Sequence, residues 1–347
     1  MKIIAEAGVN HNGSLKTAMK MVDAAVAAGA DYIKFQTFHA HSLVTALCEA
    51  ADYQKENAGA EGQQEMLEDL ELDFEDFKKL KAYCDEKGIG FLSTAFDEES
   101  VDFIASLHPD YMKVPSGEII NLPFLRKMAS THIPMIISTG MSTPEEIAQA
   151  LKPFQKEGYR SEDIILLHCT TQYPTPMEDV NLRAMTTVSG NFGHPGGYSD
   201  HTLGIEVPIA AATLGAEVIE KHFTLDRNME GPDHKASLEP DELAAMVKAI
   251  RNIEKALGNG VKEVKESERS NIEAARRSIV AKRPIKEGQV IEEDDICTKR
   301  PATGLSPMLW DKVVGSKAIR DFEPDELIEI EDGGWTIGIG GLKLKFG

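Results

Sequence analysis

Short strand-like runs alternate along the chain with longer stretches in which apolar residues recur every three or four positions. Eight such runs, at residues 2–7, 31–37, 89–94, 110–115, 133–138, 163–169, 197–200 and 217–222, are predicted as strands. The stretches between them carry helix ends. Ser14 caps a predicted helix with the apolar face Ala18, Met19, Val22, Ala25 and Val26, and Gly29 stops it. Asp73 precedes Phe74, Phe77, Leu80 and Cys84, with Gly88 at the far end. Thr143-Pro144-Glu145-Glu146 joins a capping threonine, a first-turn proline and a glutamate placed to close a capping box, and Pro240 opens the last long helix. Eight strand–helix units over roughly 250 residues predict an α/β fold of the (β/α)8 TIM-barrel type. An open doubly wound sheet competes, but no GxGxxG or P-loop follows any of the runs.

A barrel collects its chemistry at the C-terminal ends of the strands, and each unit supplies some. In order these are Glu6; Lys34 and Gln36; Ser93 and Thr94; Lys113, Ser116 and Glu118; Ser138; His168 and Thr170; Ser199, Asp200 and His201; Glu220 and His222. Any one of these groups reads as ordinary turn or capping chemistry. All of them together point to a single reactive mouth. His201 and His222 end consecutive strands, so they are expected to share a ligand or metal there. An insertion at 38–72 reads equally as a solvated helical excursion or as a loop shaping the substrate site. Residues 1–258 form the expected barrel and 259–277 a charged linker. Residues 278–331 read as a compact β-rich module, and 332–347 as a tail to which the sequence assigns no structure.

Composition narrows the partners. A net charge of -20 on 347 residues opposes nucleic acid and anionic membranes, which need a basic face. An anionic small substrate would need a local cationic pocket, and Lys34 and Lys113 stand at strand ends. Each lysine taken alone also reads as a surface cation paired with neighbouring acids. Four scattered cysteines without a CxxC pair indicate neither a zinc site nor a disulfide scaffold. No apolar leader core or membrane-length run is evident, and a cytoplasmic, unexported protein is expected.

The ordered motifs carry a resemblance: Glu6 to Gly13, Lys34-Phe35-Gln36-Thr37, Pro115-Ser116-Gly117-Glu118, Ser138-Thr139-Gly140-Met141, His168-Cys169-Thr170, Tyr173-Pro174, Ser199-Asp200-His201-Thr202, Glu220-Lys221-His222-Phe223 and Gly231-Pro232-Asp233-His234. From Ile3 to about Ile330 the chain resembles the sialic acid synthases, nonulosonate synthases that condense phosphoenolpyruvate with an N-acylated hexose. The resemblance implies a TIM barrel followed by an antifreeze-like (SAF) domain. It also implies a domain-swapped homodimer in which each small domain covers the partner's barrel mouth. His201 and His222 would hold Mn2+ or Mg2+, loosely enough that purified protein needs added metal. Lys34, Thr94, Lys113, Ser116, Ser138 and Ser199 would bind phosphoenolpyruvate. Glu6, Gln36, Glu118, Tyr173 and Asp233 would meet the sugar, and Arg300 would reach the acyl group from the partner. Phosphoenolpyruvate is a weak carbon nucleophile and a sugar aldehyde a modest electrophile, so the site must align both and polarise the aldehyde.

Glu6 or Glu220 would move protons, and the sequence does not choose between them. N-acetylmannosamine, giving N-acetylneuraminate, is the first expectation for the sugar. The alternative is 2,4-diacetamido-2,4,6-trideoxymannose, giving N,N'-diacetyllegionaminate. More remote are a Schiff-base aldolase using Lys34 or Lys113 and a non-catalytic sugar-binding protein. Thr171 stands where some sialic acid synthases carry asparagine, and the tail matches nothing in the family.

Overall fold

The computed structural model describes residues 1–45, 48 and 62–330. It divides into two compact units, Met1–Gly258 and a second from Asn259 onward. In the first unit, eight parallel strands close into a barrel in chain order: β1 (Lys2–Gly8), β2 (Tyr32–Thr37), β3 (Gly90–Ala95), β4 (Met112–Val114), β5 (Met135–Ser138), β6 (Ile164–His168), β7 (Gly196–Asp200) and β8 (Val218–His222). The ring is completed by β8 pairing with β1, Glu6 standing opposite His222.

Two-residue periodicity decides what each strand presents to the inside. Ile4, Leu92, Ile136, Ile165, Leu167 and Val218 pack together as a small inner core. Two positions further on, the same faces carry Glu6, Thr94, Ser138, Cys169 and Glu220. The barrel is thus plugged by apolar side chains low down and turns polar at its C-terminal mouth. A one-residue register slip would exchange these groups for the residues under the helices. The other parity, including Ile3, Ala5, Ile33, Phe35, Met112 and Ile219, belongs to the larger core packed beneath the helices.

The helix ends follow the local chemistry. Ser14 accepts from the Thr17 N–H, Asp73 from Asp76 and Thr143 from Glu146, and the Glu146 carboxylate returns a bond to the Thr143 N–H. Gly29 and Gly88 take the left-handed conformation at helix ends, φ 81° and 74°, which a β-carbon would strain. The first helix (Leu15–Ala28) buries Ala18, Met21, Val22, Ala25 and Ala28. Of the expected face, Ala18, Val22 and Ala25 are buried, Met19 is only partly buried and Val26 is exposed, the stripe turning instead through Met21 and Ala28.

Within the insertion after β2, helices Ala40–Leu43 and Gln63–Leu70 are described, while residues 46, 47 and 49–61 lie outside the described residues. Met66, Leu67 and Leu70 join Val9, Phe38 and Ala40 in a separate apolar cluster. The described part of this insertion is therefore packed apolar structure rather than a purely solvated excursion. Among the described residues no helix is long and apolar enough to cross a membrane, and no disulfide forms.

In the second unit a helix, Glu266–Ala275, occupies much of the expected linker. An antiparallel pair follows, β9 (Ser278–Ala281) and β10 (Ile296–Lys299), and single antiparallel bridges join Val280 to Leu327, Ile285 to Phe322 and Val290 to Lys317. Ile279, Ile285, Ile291, Ile296, Val313, Phe322 and Ile328 form its core. The tail at 332–347 lies outside the described residues.

Asp295 is the polar anchor of this small core. Its fully buried carboxylate accepts from Arg283 Nε at 2.5 Å, the Glu292 N–H at 2.8 Å and Gln289 Nε2 at 3.3 Å. Burial pushes this carboxyl up, but the donors outweigh it and the net displacement is downward from 3.8. A depressed folded-state pKa gives stability that is present above the unfolded value of about 4 and is lost as pH falls through the folded value. Asp295→Asn is expected to lower the stability of this unit by about 1–3 kcal/mol at pH 7, with the difference from wild type shrinking as pH falls below about 4. Tryptophan fluorescence during unfolding checks it, since Trp310 and Trp335 are the protein's two tryptophans.

Candidate functional site at the barrel mouth

At the C-terminal ends of the strands lies a cavity of about 290 Å³. Its floor is a chain of four buried ionisable groups, Glu6, Lys34, Glu220 and Lys113. Lys34 Nζ stands 2.8 Å from Glu6 Oε2 and 3.8 Å from Glu220 Oε2. Lys113 Nζ stands 3.6 Å from Glu220 Oε1. Hydroxyls complete the arrangement: Lys34 donates to Thr94 Oγ1 at 2.7 Å, Lys113 to Ser138 Oγ at 2.8 Å, and Ser199 Oγ donates to Glu220 Oε1 at 2.9 Å. Gln36 Nε2 donates to Glu6 Oε1 at 3.2 Å.

The two carboxylates are driven apart. Burial raises Glu6 from 4.5 to about 7 against the pull of Lys34. Burial also pushes Glu220 up, yet Lys113 and Lys34 together with the Ser199 hydroxyl outweigh it and hold that group at about 2. Burial lowers Lys113, opposed by Glu220. Paired carboxylates split in this way suit one group to exchange a proton near neutrality and the other to remain a fixed negative charge.

Above the floor, the rings of His201 and His222 lie 5.5 Å apart between centroids, and the half-buried Tyr173 ring packs on His201 at 4.2 Å. Burial lowers the His201 pKa, and burial together with the neighbouring His201 lowers that of His222 well below 6.5, so both rings are neutral at pH 7. His201 Nδ1 lies 2.6 Å from the Thr170 carbonyl oxygen, an acceptor that fixes the proton on Nδ1 and leaves the Nε2 lone pair available. His222 Nδ1 is buried with no hydrogen-bond partner and faces Asp233 Oδ2 at 3.9 Å. Burial pushes Asp233 up to about 6. Two neutral imidazoles, one with its tautomer fixed and the other with an orphaned nitrogen, are a donor set that fits a divalent cation. No group of three or more His, Cys, Asp or Glu side chains assembles for that purpose among the described residues. Any cation here would therefore draw its other ligands from water or substrate.

The cavity lining brings together Glu6, Lys34, Gln36, Thr94, Lys113, Ser116, Ser138, Tyr173, Ser199, His201, Glu220, His222 and Asp233. Of the strand-end residues expected at the mouth, Ser93, His168, Thr170 and Asp200 stay out of the lining, and so do two residues expected to meet the sugar. Glu118 sits on the short turn Ser116–Glu118, where its Oε2 accepts from Asn121 Nδ2 at 2.6 Å, so the turn that brings Ser116 in carries Glu118 aside. Arg300 belongs to the second unit and is exposed.

Met66, Leu67, Leu70 and Phe96 of the lining escaped the sequence reading, and Val9, Met141 and Cys169 stand in the quoted motifs without a role assigned to them. Thr171, marked only as a departure from the family pattern, lines the cavity and its buried Oγ1 has no hydrogen-bond partner. Gly140 allows this crowding, since a β-carbon there would meet Thr171 Oγ1 at 2.4 Å and Ser116 Oγ at 2.8 Å. A larger groove of about 430 Å³ runs between helices Leu122–Ala129 and Pro144–Lys156. It is lined by helix-surface side chains without a convergent reactive cluster, so the chemistry is assigned to the mouth.

Residues 21–262 match the family model described as the NeuB family, and residues 276–332 match that of the SAF domain. The N,N'-diacetyllegionaminic acid synthase of Campylobacter jejuni is 49% identical over 327 residues, covering 94% of this chain and 98% of that protein. The protein of the same name from Legionella pneumophila is 47% identical over 319 residues, 91% and 89% of the two chains. Among solved structures, N-acetylneuraminic acid synthetase from Leptospira borgpetersenii in complex with citrate aligns with a TM-score of 0.69 and 36% identity, over 78% of this chain and 90% of that one.

Proposed function

The chain belongs to the NeuB family, and from that premise we propose that it condenses phosphoenolpyruvate and water with 2,4-diacetamido-2,4,6-trideoxymannose, giving N,N'-diacetyllegionaminate and inorganic phosphate. The observation that carries the reading is the pairing of Lys34 and Lys113, set among hydroxyls, with two neutral imidazoles in one cavity. Both relatives named above carry the legionaminic name, which favours this sugar over the N-acetylmannosamine expected first.

Lys34 and Lys113 neutralise the phosphate and carboxylate of the enol, and the hydroxyls of Thr94, Ser116, Ser138 and Ser199 orient it. Thr171 Oγ1, buried without a partner in the same lining, is a further hydroxyl available to that anion. His201 and His222 would hold a divalent cation, Mn2+ or Mg2+, which when bound polarises the sugar aldehyde as a Lewis acid. Tyr173 keeps the His201 ring in place, and Asp233 and Gln36 meet sugar hydroxyls. A carbon–carbon bond forms between C3 of the enol and the aldehyde carbon. The aldehyde oxygen takes a proton from the Glu6 carboxyl as this bond forms, water adding at C2 returns a proton to the Glu6 carboxylate, and the C2–O bond to phosphate then breaks, the C2 hydroxyl proton leaving with the phosphate, while Glu220 balances the lysines. A homodimer with exchanged small domains, in which Arg300 contacts the acyl group, belongs to the same proposal.

The lowered pKa of Lys113 gives a second reading, attack on a keto acid by a neutral lysine to form an imine. The ion pair with Glu220 works against it. Phosphate release with Mn2+, phosphoenolpyruvate and each sugar tests the substrate. The trideoxy diacetamido sugar is expected to be used at least about tenfold more efficiently than N-acetylmannosamine, the scale on which one pocket contact discriminates. The reverse order would restore N-acetylneuraminate as the product.

A further inference from the structure

The cavity is polar on its floor and apolar on one side. That side is built by the segments that follow β1, β2 and β3: Val9, then Met66, Leu67 and Leu70 of helix Gln63–Leu70, then Phe96. The three helix side chains are spaced i, i+1 and i+4, so one face of a single short helix supplies them. They are at most 9% exposed, already packed against Val9 and Phe38.

The end of this helix is held at two points. The Glu71 carboxylate accepts from the Ala40 N–H at 3.0 Å and lies 2.8 Å from His39 Nδ1. The Asp69 carbonyl approaches Gly13 so closely that a β-carbon there would lie 2.5 Å from it, at a φ of +65° that itself favours glycine. This wall is therefore docked onto the loop after β1.

Charge sets what can lie against it. Among the described residues the cavity lining contains no arginine, and its two lysines are both engaged on the floor with Glu6, Glu220 and their hydroxyl partners. A sugar whose aldehyde end points to the floor would bring its far carbon to a surface on which the described side chains, Val9, Met66, Leu67, Leu70 and Phe96, offer neither a cation nor a hydrogen-bond donor. A phosphate there would be buried without a counter-charge, and a hydroxyl would give up water for nothing. A methyl group gives up nothing.

We infer that Met66, Leu67, Leu70 and Phe96 form a specificity subsite that holds the deoxygenated C6 methyl end of the acylated sugar and discriminates against C6-hydroxyl and C6-phosphate sugars. This rests on the reading of the mouth as a site for phosphoenolpyruvate and an acylated hexose, and adds to it the side chains that choose the sugar.

The test compares 2,4-diacetamido-2,4,6-trideoxymannose with 2,4-diacetamido-2,4-dideoxymannose, which differ only by the C6 hydroxyl, in the full-length protein with Mn2+ and phosphoenolpyruvate. Wild type is expected to favour the deoxy sugar in kcat/KM by about 10–100-fold, the range over which an apolar pocket rejects an added hydroxyl. N-acetylmannosamine 6-phosphate should give no detectable turnover. Met66→Gln, close in shape but polar, should bring the two unphosphorylated sugars to within about threefold, acting mainly through the sugar KM and leaving the KM for phosphoenolpyruvate in place. Leu70→Asn serves as an independent variant, each being checked for folding by circular dichroism. Equal use of both sugars by wild type, which needs no variant, would overturn the inference. So would an unchanged preference in a folded Met66→Gln or Leu70→Asn. Phosphate release with both sugars but no preference would sink the subsite alone, whereas no release with any sugar would remove the reading beneath it as well.

Discussion

Lys221→Met is expected to destabilise the barrel unit by about 3–5 kcal/mol, the cost of leaving one member of a buried ion pair without its partner. Lys221 has the parity opposite to Glu220 and His222, so it points away from the cavity and under the helices. There its ammonium meets Asp200 Oδ2 at 2.5 Å and donates to the Thr202 carbonyl, and neither Lys221 nor Asp200 is exposed at all. Thr202 returns its N–H and hydroxyl to the Asp200 carboxylate. Asp200 and Lys221 are also direct register partners on β7 and β8, one residue before His201 and His222. The pair thus pins the two strand ends from behind at the height where the imidazoles must meet. Urea unfolding followed by circular dichroism measures the loss, and the charge-neutral double variant Asp200→Asn/Lys221→Met should recover much of it. The double variant should still bind Mn2+ about 10–100-fold more weakly than wild type, as expected when the groups supporting metal ligands are removed. A single-variant cost below about 1 kcal/mol, the value of an exposed pair, would contradict the assignment.

The largest effect on turnover is expected from His201→Ala and His222→Ala. Loss of either ring should lower kcat/KM by about a thousandfold or more, the equivalent of several kcal/mol of transition-state stabilisation. Phosphoenolpyruvate should still bind within a few fold of wild type, because Lys34, Lys113 and their hydroxyls remain. Phosphate release gives the first quantity and calorimetric titration with phosphoenolpyruvate the second. The two variants should also differ in stability. His222 Nδ1 has no hydrogen-bond partner to lose, whereas removing His201 leaves the Thr170 carbonyl without its 2.6 Å donor. Turnover retained to within tenfold in either variant would show that the imidazoles do not carry the reaction.

How much of this could be read from the sequence depends on the range of the interaction. Strand alternation is local, so the barrel, its mouth and the inward placement of Glu6, Lys34, Lys113, Ser138, Ser199, Glu220 and His222 follow from short runs and their end residues. Capping is local too, and Ser14, Asp73 and Thr143 act where their neighbours dictate. Glu118 shows where position along the chain stops being enough. It stands two residues beyond Ser116, but the short turn between them decides which of the two enters the cavity, and Asn121 holds Glu118 aside. Met66, Leu67 and Leu70 carry an ordinary helical pattern. Only their docking beside Gly13 and the β1 loop, more than fifty residues earlier in the chain, turns them into a cavity wall. Asp200 and Lys221 stand inside motifs that resemble catalytic ones, yet parity sends them to the opposite face from their neighbours. The split between Glu6 and Glu220 required the distances to two lysines, which no spacing in the sequence supplies.

The most direct measurement is to weigh both the products and the protein after incubation with Mn2+, phosphoenolpyruvate and the trideoxy diacetamido sugar, quenched with borohydride. The account predicts a nine-carbon acid with the mass of N,N'-diacetyllegionaminate, one phosphate released per product, and protein of unchanged mass. A three-carbon adduct fixed on Lys34 or Lys113, or phosphate release without the nine-carbon product, would contradict it.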